Sequence, residues 1–170
     1  VVMALIPGVL LGLVAAFMAM SSLLNARIVG RLGMRRGPHV ALLGFVAVGA
    51  LHALIAFGGA ETIWSFTLLQ AVMMFCFGLV VSNFGAMAMQ PLGHVAGTAS
   101  SLQGFVSTVG GALLGFMIGQ RFDGTVVPMT TGFALRGIAT LLIVLATERG
   151  RLFGAAIEPA LPGIGARESP

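Results

Sequence analysis

The apolar residues of this chain come in long runs with little two-residue alternation. Crossing a hydrocarbon core about 30 Å thick takes about 20 apolar residues of α-helix at 1.5 Å per residue. Five stretches approach or meet that length: residues 3–24, 40–57, 63–81, 99–118 and 126–146. Barrel strands would alternate apolar and polar residues over short segments, so the runs predict helices. The pattern predicts an all-α integral membrane bundle of five transmembrane helices over residues 1–147. Beyond it, residues 148–170 hold Pro159, Pro162, Gly163, Gly165 and Pro170 with no apolar period, and are expected to form a disordered tail.

Composition strengthens the membrane reading. Of the 170 residues, 58% are hydrophobic and only 8% charged, against roughly 25% charged in a typical soluble domain. A net charge of +4 raises the question of nucleic acid, but the placement of the charge answers it. There are nine arginines and no lysine, and Arg27, Arg31, Arg35 and Arg36 share the one loop after the first span. That clustering marks a cytoplasmic loop. Alternating crossings then put Glu61 outside, Ser82 to Thr98 inside, Arg121 and Asp123 outside, and the C-terminal tail inside. Seven arginines fall inside, one outside and one, Arg136, within a span. The Ala- and Gly-rich, lysine-free composition suggests a bacterial source, hence the bacterial inner membrane. Val1 leads directly into the first apolar run with no basic segment or cleavage site, so no signal peptide is expected. The chain reads as starting at the edge of a span.

Sites of covalent chemistry are not evident. Cys76 is alone in an apolar run, there is no zinc spacing, and neither a phosphate-binding loop nor a metal-binding H-E-x-x-H helix occurs. No enzyme activity, metal or cofactor is expected. Ser107 with His52 as base would be a candidate intramembrane hydrolase pair, but Ser107 is mid-helix, where a nucleophile is poorly presented. Polar residues within spans are costly and each needs a reason. Gln70 and Gln103 suit bonds between helices or contact with a substrate; His52 suits packing or a proton relay. Arg136 lies about ten residues from either end of the last span, too deep for easy snorkelling, and has no account at this level. Met73, Met74, Phe75 and Phe77 form a soft patch suited to packing or to a greasy substrate wall. The acidic residues Glu61, Asp123, Glu148, Glu158 and Glu168 all fall in loops or the tail, so a proton-coupling carboxylate is expected elsewhere.

The fourth span carries a ridge of small residues: Gly104, Thr108, Gly111, Gly115 and Gly119 recur every three or four positions. Such a ridge lets another helix approach closely. It fits tight packing within one bundle or a sliding contact between two bundles.

Two segments carry a resemblance. Arg31-Leu32-Gly33-Met34-Arg35-Arg36 resembles the D-R-x-G-R-R loop of the major facilitator superfamily, in the weaker copy between helices eight and nine, with Gly30 at the acidic position. The stretch from Asn83-Phe84-Gly85 through Gln90-Pro91-Leu92-Gly93-His94 to Ser100-Ser101-Leu102-Gln103-Gly104 is similar to the helix ten to eleven region of Bcr/CflA-type multidrug efflux transporters. Gly110-Gly111-Ala112-Leu113-Leu114-Gly115 and Phe122-Asp123-Gly124-Thr125 continue the likeness, which covers about residues 20–146. The resemblance implies helices eight to twelve of a twelve-helix transporter, whose N-terminal half lies outside this sequence. It implies proton-coupled efflux of drugs or small molecules by alternating access. Gln70, Met74, Phe77 and Gln103 become candidates for the substrate pathway. Arg27, Arg31, Gly33, Arg35 and Arg36 become a cytoplasmic latch, and the glycine ridge a contact between halves. The implied partners are the lipid bilayer, the other half, a small-molecule substrate and protons; nucleic acid is not among them. The competing expectation is a truncated or non-transporting membrane protein.

Overall fold

The computed structural model describes the backbone of residues 2–32 and 36–148, with side chains from residue 8 onward in those segments, Leu32 excepted. The described residues are helical throughout, joined by short turns: α1 (Val2–Leu32), α2 (Arg36–Phe57), α3 (Ile63–Met89), a 3-10 segment (Gln90–Val95), α4 (Ala96–Gly119) and α5 (Val127–Thr147). Gly33, Met34, Arg35 and the expected tail from residue 149 onward lie outside the described residues.

Four helical stretches are long and apolar enough to cross a membrane: Gly8–Arg31, Arg36–Phe57, Ile63–Gly119 and Val127–Thr147. Their exposed faces carry large apolar side chains such as Leu11, Leu54, Phe105 and Leu142. Without lipid this surface would be an aggregation liability, so the fold fits a multi-pass membrane protein. The 57 residues of Ile63–Gly119 are not one uniform helix. Pro91 lacks a backbone N–H, and Leu92 (φ −104°, ψ 16°) and Val95 (φ −128°, ψ 28°) leave helical geometry. A Cβ on Gly85 in α3 would lie 3.3 Å from the Gln103 amide nitrogen in α4, so the chain folds back across this break.

Two loops expected from the sequence are partly helical. α1 continues past Asn25 to Leu32, so Arg27 and Arg31 lie on a helix, and Arg36 is the first residue of α2. α3 continues past Val81 to Met89. An apolar run measures the stretch that needs lipid, whereas the i→i−4 ladder continues until something stops it.

Packing runs in the order α1, α3, α2, α5, with α3 between α1 and α2, and α2 between α3 and α5. α4 touches its neighbours sparsely and has no buried residue. Closest approaches occur at glycines. A Cβ on Gly78 would overlap the Ser21 hydroxyl between α3 and α1. One on Gly49 would lie 3.5 Å from the Ala134 backbone, and one on Gly137 3.0 Å from the Phe45 ring, both between α2 and α5. The expected ridge of α4 behaves otherwise. Cβ atoms on Gly104, Gly111, Gly115 and Gly119 would meet nothing within 4 Å, and Thr108 is exposed. Among the described residues the ridge therefore meets no close neighbour; the close approaches lie between α1 and α3, between α2 and α5, and at Gly132 of α5, where a Cβ would lie 2.6 Å from the Ile118 side chain of α4.

Several hydroxyls in the helices return to the backbone. Thr67 donates to the Ile63 carbonyl (2.7 Å), Ser100 to Ala96 (2.7 Å) and Thr140 to Arg136 (2.9 Å), so each is satisfied without a second helix. Buried Asn83 bridges helices instead, donating through Nδ2 to Asn25 Oδ1 (2.6 Å) and to the Leu79 carbonyl (2.7 Å).

Candidate functional site

A cavity of about 630 Å³ opens between α2, α3, α4 and α5. Its apolar wall is built by helical spacing. Met74, Phe77, Val81 and Phe84 follow one another along one side of α3, and α2 adds Leu42 and Phe45. The rings of Phe45 and Phe77 lie 6.2 Å apart at 42°. From α5 come Phe133, Arg136, Thr140 and Val144, again three or four residues apart. α4 contributes Gln103, whose amide fits beside Gly85 because that position has no side chain.

The polar side chains on this wall are Gln103, Arg136 and Thr140, and Arg136 carries the charge. Its guanidinium carbon lies 5.9 Å from the centre of the Phe133 ring, within range of a cation–π contact. Among the described residues no carboxylate lies within ion-pair distance of it. Nine residues precede Arg136 in α5 and eleven follow, about 14 and 17 Å of helix. A second groove of about 540 Å³ lies between the end of α4 and α5, lined by Gly115, Gly119, Phe133 and Arg136 among others. Arg136 therefore borders both spaces.

Of the sequence-derived pathway residues, Met74, Phe77 and Gln103 share this cavity, and Gln70 does not. Gln70 is buried in α3. Of the arginine loop, Arg27, Arg31 and Arg36 are at helix ends and Gly33 and Arg35 lie outside the described residues. Sequence reasoning noticed the cost of Arg136 but had no partner for it. It missed Phe45, Phe84, Phe133 and Thr140 altogether. A mid-span charge was the available signal; the facing aromatics are scattered over three helices and only packing brings them together.

A second polar cluster sits at the α2–α3 end. His52 Nε2 lies 3.4 Å from Glu61 Oε1, with His52 fully buried and the Glu61 side chain 10% exposed. Ser65 donates to the same Glu61 oxygen (3.1 Å), and the Phe66 ring meets His52 edge-on at 5.2 Å. Glu61 and the α2–α3 turn line a groove of about 520 Å³ together with Gly124, Thr125 and Val126 of the α4–α5 turn. Both turns thus occupy one end of the bundle.

No family model, curated protein or solved structure matches this chain. The site combines an aromatic and thioether wall, a neutral amide and one cation that has no carboxylate partner among the described residues.

Proposed function

We propose that this chain is part of a secondary transporter of the major facilitator superfamily, of Bcr/CflA type, which moves drugs or other small molecules by alternating access coupled to protons. The observation that carries the proposal is the cavity in which Met74, Phe77 and Gln103 converge with Arg136 near the middle of α5. Transporters of this architecture bind substrate near the bilayer midplane between helices. No His, Cys, Asp or Glu lines the cavity, so binding rather than bond cleavage is the chemistry it suits.

In this reading the chain crosses the membrane five times. Pro91 and its neighbours make α3 and α4 separate crossings, and the shared end of the α2–α3 and α4–α5 turns agrees with alternating passage. The arginine-bearing ends of α1 and α2 face the cytoplasm of a bacterial inner membrane, as does the C-terminus. The bare ridge of α4 awaits a second helical bundle, the partner half of a twelve-helix protein. That ridge equally suits a non-transporting protein that assembles through α4, and flux separates the two. In inverted vesicles containing the full-length protein, a pH gradient should drive uptake of exported compounds, and adding substrate should move protons. Absence of substrate-coupled flux across a broad panel of compounds, with the protein folded and inserted, would reject transport.

A further inference from the structure

We infer that the cavity is an anion-selective site whose ligand is an amphiphilic organic acid, its carboxylate on Arg136 and its apolar body against the α3 wall. The inference deepens the transport reading by naming the substrate class, and rests on that reading for ligand movement, though not for binding.

An arginine cannot shed its charge, and within a membrane helix that charge is costly unless something opposes it. Three kinds of partner would serve: a carboxylate of the chain, water or a lipid headgroup at the interface, or a bound anion. The first is not present among the described residues, since Arg136 has no acidic neighbour. The interface is remote, because Arg136 is separated from both ends of α5 by about 14 and 17 Å of helix. The cavity supplies the third. A planar guanidinium takes a carboxylate through two parallel N–H donors, and Gln103 brings a neutral amide donor to the same space. Thr140 uses its hydroxyl proton on the Arg136 carbonyl, which leaves the guanidinium as the charged donor on that side.

The remainder of the wall sets the ligand's other end. Phe45, Phe77 and Met74 offer aromatic and thioether surface, suited to a flat apolar body. A volume of about 630 Å³ is in the range of drug-sized sites, which run to about 300–1,000 Å³. An organic cation would meet an unneutralised like charge there, and a neutral molecule would leave the guanidinium uncompensated. Charge complementarity thus selects the acid.

The test uses the full-length protein in phosphatidylcholine nanodiscs and radiolabelled 2-naphthoate as probe. Unlabelled 2-naphthoate should displace the label; 2-naphthamide and 2-naphthylmethylammonium, with the same ring, should be weaker competitors by about tenfold or more. Arg136→Gln should weaken naphthoate binding to a similar extent, and Arg136→Lys, which keeps the charge but loses the paired N–H donors, should bind more weakly than the wild type while still preferring the acid over the amide. Adding phosphatidylglycerol to the nanodiscs should leave binding unchanged. The inference falls if the ammonium compound competes as well as the acid, if folded Arg136→Gln binds naphthoate like the wild type, or if the anionic lipid displaces it. Should Arg136→Gln not fold, the competition series on the wild type still decides. Acid-selective binding without vesicle flux would remove transport and leave this site standing. Flux of cationic or neutral compounds without naphthoate binding would do the reverse.

Discussion

At Gly78 the main chain of α3 comes against the Ser21 hydroxyl of α1, which is itself buried and donates to the Met18 carbonyl (2.7 Å). The added methyl of Gly78→Ala overlaps the Ser21 hydroxyl and would lie 3.2 Å from its Cβ, so Ser21 must give up its rotamer and its bond to Met18 or the helices must separate. The expected cost is about 1–3 kcal/mol, read as a lower thermal midpoint in detergent, and Ser21→Gly in the same protein should recover part of it. The His52–Glu61 pair predicts a different loss. Glu61→Ala removes the carboxylate 3.4 Å from a fully buried imidazole whose nitrogens make no hydrogen bond, and loss of this remaining polar contact should cost about 1 kcal/mol. Thermal unfolding of the variant should show it; an unchanged midpoint would mean that the pair contributes nothing to stability.

The helix ends explain why α2 and α3 form a tight hairpin. Gly59 N–H bonds the Ala56 carbonyl (3.1 Å) and Ala60 N–H the Ile55 carbonyl (3.2 Å), a Schellman closure with Gly59 at φ +65°. Thr62 then caps α3 reciprocally with Ser65, at 3.1 and 2.8 Å. Gly59→Ala should destabilise by about 1 kcal/mol through the left-handed conformation alone, measurable by denaturant titration in mixed micelles. The α4–α5 turn uses a side chain instead. Asp123 Oδ1 accepts from the Thr125 hydroxyl (2.6 Å) and backbone N–H (3.0 Å), and these bonds hold its carboxyl below the usual carboxylate range. A depressed carboxyl supports the turn at neutral pH, and that support is lost as pH falls through its lowered pKa. Gly115→Leu in α4 should leave folding of this bundle unaffected, because a side chain there meets open space. In the full-length protein it should slow transport while expression stays normal. Wild-type flux in that variant would mean the ridge is not a working interface.

Across the whole molecule, the order α1, α3, α2, α5 leaves α4 bordering two spaces and filling neither. Arg136 lies on the boundary between them, so any movement of α4 relative to α5 changes what this cation faces. The proposed five crossings have a direct check. With Cys76 replaced by Ala, single cysteines at Gly58, His94 and Asp123 should report opposite sides. Positions 58 and 123 should react with a membrane-impermeant maleimide from the periplasm and position 94 only from the cytoplasm. Labelling of all three from one side would require α3 and α4 to be arranged otherwise.

The helical class could be read from the sequence because lipid leaves an apolar chain few ways to satisfy its backbone. The long runs containing Leu11, Leu54 and Leu142 carried that information locally. The sequence placed the connection between the third and fourth spans at residues 82–98, and the structure narrows it to the break at Pro91, which lacks an N–H. Which glycines mattered was not local. Gly78 and Gly137 form no regular ridge yet sit at close contacts, whereas a Cβ on the regular row from Gly104 to Gly119 would meet nothing within 4 Å among the described residues. Spacing shows that a helix face is smooth, but not what stands opposite. The same holds for Arg136: its cost was plain from its depth in an apolar run. Its place in the cavity with Met74, Phe77 and Gln103 was decided only by packing α5 against α2 and folding α4 back across α3.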